Sequence, residues 1–306
     1  MSTIVLDSSN IEGIENNTLV YKFPNSVKFD NHEIAVQSVT MYYSWENIND
    51  TTLSNNVFSI QWVSGTTVTT YPIVIPSGLY EVLDLNNYLQ FFCIQHGLFL
   101  IDENARFVYY AEMVVNAQQY AVQVNTFPVP LTLPLNWTVP VADPVTGQGA
   151  WPGFPTATFN PSLIFPAKFN EIVGYAVNFA TGLNQAPSPT AGQNLSFYSS
   201  ISPQVQPNSS IYLSLSNINN KYAVPSSIVY SISPTVAFGE QINSVPPNFT
   251  WNRLLNGTYN EIRLQILGLN KQPLILLDGN MTIMLSIRDL KDSGLSDIMN
   301  RLQGNK

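Results

Sequence analysis

The sequence predicts an all-β chain: a single jelly-roll β-sandwich with insertions and one short covering helix. Three observations carry that expectation. Short runs of β-branched and aromatic residues alternate with polar ones along most of the 306 residues. One segment within the strand-rich stretch breaks the β pattern with helical spacing. The length exceeds the roughly 100 residues of an immunoglobulin-like sandwich and suits a jelly roll with insertions; strand patterning alone does not separate the two.

Taken in chain order, TLVYKF puts Leu19, Tyr21 and Phe23 on one face of a first strand. IAVQSVTMYYSWENI, from Ile34 to Ile48, follows with a fault in its alternation. Ile34 and Val36 hold the even positions, whereas Val39, Met41, Tyr43 and Trp45 hold the odd ones. A one-residue change of phase near Gln37 and Ser38, without a break in the run, predicts a β-bulge. Core packing accounts for every residue in this stretch. VFSIQW adds Phe58, Ile60 and Trp62, and the N-terminal strands are expected over about 18–75.

The helical segment is IPSGLYEVLDLNNYLQFFCIQHG. Asp84 is the expected cap, Leu85, Leu89, Phe92 and Cys93 form the apolar stripe, and Gly97 takes the C′ position. YAVQV then reads as a strand with Tyr120, Val122 and Val124 on one face. From Phe127 to Pro166 proline is too dense for central strands or helices. The segment still holds Trp137 and Trp151, so an ordered excursion packed on a folded body is expected. Gly182 to Ser210 reads as a polar surface loop.

IYLSLS and SIVYSI resume the strands. Asn256-Gly257 and Asp278-Gly279 each separate two runs, which predicts two-residue type I′ hairpins, and Asn270 to Pro273 predicts a turn. Met281, Ile283, Leu285 and Ile287 share one face of the last strand. The expected organisation is one domain, 1–306, with C-terminal strands over about 205–288 and an insertion within 76–204. RDLKDSGLSDIMNRL reads equally as a short amphipathic helix, with Leu295, Ile298, Met299 and Leu302 on its apolar side, and as a frayed tail.

Composition narrows the function. Charged residues make up 10% of the chain against roughly 25% in ordinary domains, while hydrophobic residues reach 45%. A surface with few ions loses little hydration when it meets another protein. Net charge is −8 and the 12 basic residues are scattered, which argues against direct nucleic-acid binding. No run approaches the roughly 20 apolar residues of a membrane span, and MSTIVLDSSN has no secretory pattern. Cys93 is the sole cysteine, so no intrachain disulfide forms.

Catalytic chemistry finds little support. His32 and His96 are the only histidines, too few for a usual zinc site without carboxylates. Cys93 and His96, three apart on the helix, could meet as a nucleophilic dyad, but a buried packing cysteine and a helix-terminal histidine explain them better. Glu33, Glu46, Glu112, Glu171, Glu240 and Glu261 show no pairing in sequence, and no phosphate-binding or nucleophile-elbow motif occurs. Tyr42, Tyr43 and Trp45 are expected in the core, while Trp137 and Trp151 are candidates for a carbohydrate-binding attachment module. No catalytic, cofactor-binding or metal-binding residue is assigned, and no cofactor is expected.

IAVQSVTMYYSWENI, then IPSGLYEVLDLNNYLQ, then FPAKFNEIVGY, and finally LLNGTYNEIRLQILGLNKQPLILLDGNMTIMLSIRD together resemble the penton (vertex) capsid proteins of virophages and polinton-like viruses. Length and motif order are most similar to the mavirus-type branch. The four blocks span most of the chain, excepting the Pro-rich excursion and the Gly182–Ser210 loop. The resemblance implies a non-enzymatic jelly roll that forms homopentamers at the fivefold vertices of an icosahedral virion, assembled in the host cytoplasm beside capsomers of the major capsid protein. It brings no catalytic residues with it.

Overall fold

The computed structural model describes residues 2–51, 53–175, 193–203 and 209–290. The chain falls into two compact units: Met1–Glu46 with Asn208–Lys306, and Asn47–Pro207.

The first unit is built from both ends of the chain. Its strands are β1 (Ser2–Asp7), β2 (Thr18–Phe29) and β3 (His32–Tyr42). After the inserted unit come β12 (Ile211–Leu215), β13 (Ile228–Ile232), β14 (Gln241–Ser244), β15 (Asn252–Arg253), β16 (Gly257–Leu267) and β17 (Met281–Asp289). One sheet runs β1-β17-β3-β14, with β15 also on β3; the other runs β13-β12-β16-β2. β14 pairs with Val39–Tyr42 and β15 with Glu33–Ile34, so the two are interrupted halves of one strand position.

Counted that way, the described residues of the unit hold eight strand positions. The first pairs with the eighth, the second with the seventh, the third with the sixth and the fourth with the fifth. Such nesting is a folded ribbon rolled into two facing sheets, the jelly roll. Leu6, Leu19, Val39, Leu213, Leu264 and Leu285 are fully buried, as alternation demands of strands with one covered face.

The expected bulge is present. Met284 faces Ser38 and Leu285 faces Val36, so Gln37 is the extra residue that reverses the phase of β3. β2 is interrupted as well: pairing with β16 jumps from Val27 to Lys22 and skips the stretch containing Pro24, which has no N–H for a ladder.

The two expected hairpins are not hairpins. β15 pairs with β3, whereas β16 pairs with β2 and β12, so Asn256-Gly257 crosses from one sheet to the other. Neither residue takes the left-handed backbone that a type I′ turn requires. Asp278-Gly279 also lacks it; the Asp278 carboxylate instead accepts the Asn280 amide at 2.7 Å as the chain enters β17. Sandwich corners use the same small, polar residues as tight hairpins, and sequence spacing does not tell them apart. The turn over 270–273 does form, with Gly268 donating to the Gln272 carbonyl.

The second unit occupies the connection between β3 and β12 and has its own core. β4 (Val57–Ser64) and β5 (Thr67–Val74) pair with each other, and β4 also pairs with β10 (Ser162–Ile164). Both β4 and β5 were expected among the jelly-roll strands. β8 (Ala111–Asn116), β9 (Ala121–Thr126) and β11 (Leu195–Tyr198) form a second small sheet, and β6 (Phe99–Ile101) pairs with β7 (Phe107–Tyr109). β11 replaces part of the expected Gly182–Ser210 surface loop with a strand; much of that loop, and the expected helix beyond residue 290, lie outside the described residues.

α1 (Val82–His96) is the expected helix, but it begins a turn earlier than expected: Glu81, not Asp84, is the N-cap, and the Asp84 carboxylate accepts the Glu81 amide at 2.9 Å. Leu85, Leu89 and Cys93 are buried, and the Asn86 side chain accepts the Met113 amide at 2.8 Å, pinning α1 to β8. A second helix, α2 (Ala167–Val173), was not expected; it has only seven residues, marked by Pro166 before it and Gly174 after it. Phe169 on α2 stacks on Phe58 of β4 at 4.9 Å. Tyr120, expected on the core face beside Val122, has φ +49° and is exposed, because the turn into β9 ends there.

Gly97 closes α1 at φ +67°, and a Cβ there would lie 2.3 Å from the Ala150 carbonyl oxygen. Gly97→Ala combines a left-handed penalty with a backbone clash, about 2–4 kcal/mol together. Urea titration should show that loss; a change below about 0.5 kcal/mol would mean that the excursion does not cross over the helix end.

Candidate functional site

The candidate residues from the sequence are resolved by their packing. Ile34, Val36, Val39, Met41, Tyr43 and Trp45 are all buried, and Tyr43 lies 4.3 Å from Trp45 between ring centroids. The apolar face of the IAVQSVTMYYSW stretch is core, whereas Tyr42, expected there too, points to the other face and is only half-buried.

Cys93 is 2% exposed, and burial pushes its thiol up to about 12 from 9.0. A nucleophilic cysteine needs the opposite shift. His96 stacks on Phe92 at 3.9 Å, and its Nδ1 lies 3.0 Å from the Phe92 carbonyl oxygen. Both residues hold the helix against its surroundings, and the pair forms no dyad.

Because the folded thiol stays neutral where the unfolded one ionises, Cys93 stabilises the fold fully below about pH 9. That contribution is lost as pH rises towards 12, at up to about 1.4 kcal/mol per pH unit. Burial raises Tyr110 and Tyr175 in the same direction. Urea midpoints should therefore fall across this alkaline range, less steeply in Cys93→Ala. Iodoacetamide should label the native chain near pH 8 only after unfolding; rapid native labelling would contradict the burial.

Four of the six candidate carboxylates have separate structural partners, and Glu171 is exposed on α2. Glu33 Oε2 accepts Nε and Nη2 of Arg288 at 2.9 and 2.7 Å, across the β3–β17 ladder. Glu112 accepts from Asn125, Glu240 caps the Ala237 amide, and Glu261 pairs with Arg263. Among the described residues no cluster of three or more His, Cys, Asp or Glu could hold a metal. No helix among them is long and apolar enough to cross a membrane.

Trp137 and Trp151, the candidates for sugar stacking, are half-buried against the core of the inserted unit. Trp137 Nε1 donates to Glu103 Oε2 at 2.8 Å. Trp151 meets Trp62 edge-on at 5.6 Å and tilts against Phe154 at 5.1 Å. Their rings are spent on holding the proline-rich excursion in place. The excursion instead exposes Leu135, Val141 and Val145, each more than 85% accessible. α1 adds Leu83, Phe91 and Ile94 on its outer side.

Sequence reasoning missed a cavity of about 440 Å³ in the jelly-roll unit, lined by residues 219–222 and 251–256. Beside it, the Arg288 guanidinium lies 4.1 Å from the Trp251 ring centroid. Residues so far apart in sequence give no local signal; only the return of the chain between the sheets unites them.

No protein-family model and no curated protein matches the chain. Among solved structures, it matches the crystal structure of selenomethionine-labelled mavirus penton protein, with 10% sequence identity and a TM-score of 0.40. The match covers 94% of this chain and 98% of that one.

Proposed function

We propose that this chain is a structural capsid protein that assembles as homopentamers at the fivefold vertices of an icosahedral virion, beside capsomers of a major capsid protein. It performs no catalysis and binds no nucleic acid. The observation that carries this reading is the complete eight-position jelly roll with a folded unit set into one connection. Jelly rolls of this kind serve as capsid building blocks.

Two further features support it. The sequence blocks that resemble penton proteins form β3, the approach to α1, α2 and the β16–β17 region, where they serve packing rather than chemistry. The exposed side chains of the excursion and of α1 supply apolar surface on a chain with few charges. A ring joins two different patches of each subunit, so such surface suits closure around an axis.

Native mass spectrometry over a concentration series tests the reading. Five-copy rings are expected to grow in as concentration rises. A chain that stays monomeric or dimeric throughout, and is missing from the fivefold vertices of purified particles, would refute it.

A further inference from the structure

The cavity missed by the sequence has two braced walls. Residues 219–222 form one, tied down by the Asn220 side chain. Its Nδ2 donates to the Ile228 carbonyl at 3.0 Å, and its Oδ1 accepts the Tyr222 amide at 3.1 Å. Residues 251–256 form the other. There the Leu255 amide donates to the Asn217 carbonyl at 2.8 Å, and Asn256 Oδ1 accepts the Asn31 amide at 3.1 Å. Arg253 Nη2 donates to Asn31 Oδ1 at 2.6 Å, which orients its guanidinium. The Trp251 ring carries the Arg288 guanidinium, which two bonds to Glu33 hold in place. Walls ordered in advance lose little entropy when a ligand arrives.

The lining is chemically one-sided. It holds two cations, Lys221 and Arg253, and no carboxylate, although acids outnumber bases by 20 to 12 in the chain. Among the described residues the Lys221 ammonium has no hydrogen bond or ion pair. Asn219 and Asn256, both exposed, add side-chain amides. Trp251 and the fully exposed Tyr222 add aromatic surface. Each of these types answers one part of an acidic sugar. A cation pairs with the anionic group, an amide bonds hydroxyls, and an aromatic ring covers the apolar C–H face of a pyranose. The volume of about 440 Å³ is that of a small-ligand site. Two cations are too few for a nucleic-acid backbone, where binding takes roughly 6–10 phosphate contacts.

We propose that this cavity binds the terminal acidic sugar of a glycan, a pyranose bearing a carboxylate or a sulfate group. Arg253 and Lys221 pair with the anionic group, Asn219 and Asn256 bond the ring hydroxyls, and Tyr222 and Trp251 flank the ring. The site needs only the folded jelly-roll unit, so it holds or fails independently of the capsid reading.

Ligand-observed NMR titration of the full-length chain tests it, with sialyllactose, a sulfated heparin disaccharide, lactose and inorganic sulfate as probes. At least one of the two acidic sugars should bind saturably, and about tenfold or more tighter than lactose or inorganic sulfate. The tighter of the two identifies the anionic group as carboxylate or sulfate. Arg253→Gln and Lys221→Ala should each weaken that binding about tenfold, the loss expected for one charge-assisted bond. Lys221 has no bond to the described fold, so its variant keeps the parental melting temperature. No saturable binding of either acidic sugar up to about 10 mM would overturn the proposal. So would lactose or inorganic sulfate binding equally well, or acidic-sugar binding that both variants leave unchanged.

Discussion

Trp62→Ala is expected to destabilise the inserted unit by about 3–5 kcal/mol, the range for emptying a buried aromatic site. Trp62 is 1% exposed and lies at the centre of an aromatic cluster. Tyr110, Trp151 and Phe159 all meet it edge-on, at 5.9, 5.6 and 6.1 Å. Two segments lose their common partner on β4 in the variant: the end of β7 leading into β8, and the proline-rich excursion. A gap with so many rigid neighbours collapses poorly, so the upper half of the range is expected. Hydrogen exchange should show lost protection in β4, β8 and β9. Unchanged protection there would mean that the unit does not depend on this cluster.

The corresponding residue of the jelly roll is Ile283. It is fully buried in β17, between Leu6 of β1 on one side and Val39 of β3 on the other, both also fully buried. Ile283→Ala should cost about 2–5 kcal/mol. Because β17 joins the first strand to the third, exchange should rise in β1 and β3 together. If the capsid reading holds, five-copy rings should also disappear at concentrations where the parent chain forms them. A variant with parental stability would place Ile283 outside the core and break the proposed sheet order.

Much of the strand content was readable because half-buried strands write their burial directly into alternation. Phe58, Ile60 and Trp62 are an example, all buried on one face of β4. The bulge at Gln37 was readable for the same reason, since parity along a strand changes only when a residue is added. Partner choice was not readable. β4 has the same pattern whether it joins the jelly roll or the inserted unit, and only its pairing with β5 and β10 decides.

The candidate sites divide in the same way. The burial of Cys93 followed from its place on the apolar stripe of α1. Trp137 and Trp151 misled because proline-rich sequence suggests exposure, while the excursion folds back and packs both indoles. Asn256-Gly257 and Asp278-Gly279 misled because a sandwich corner and a hairpin ask for similar residues. The cavity beside Trp251 had no sequence signal, since its walls come from two separate segments, residues 219–222 and 251–256.

The central claim is that β1 and β17, the first and last of the described strands, meet as the two outer strands of one rolled ribbon. Val5 and Met284 stand directly opposite each other in the β1–β17 pair, and Val5 is 43% exposed. Val5→Cys with Met284→Cys should form an intramolecular disulfide readily and raise stability by up to about 5 kcal/mol through the long loop it closes. Thiols that stay free under mild oxidation, in a chain that remains folded, would contradict the claim.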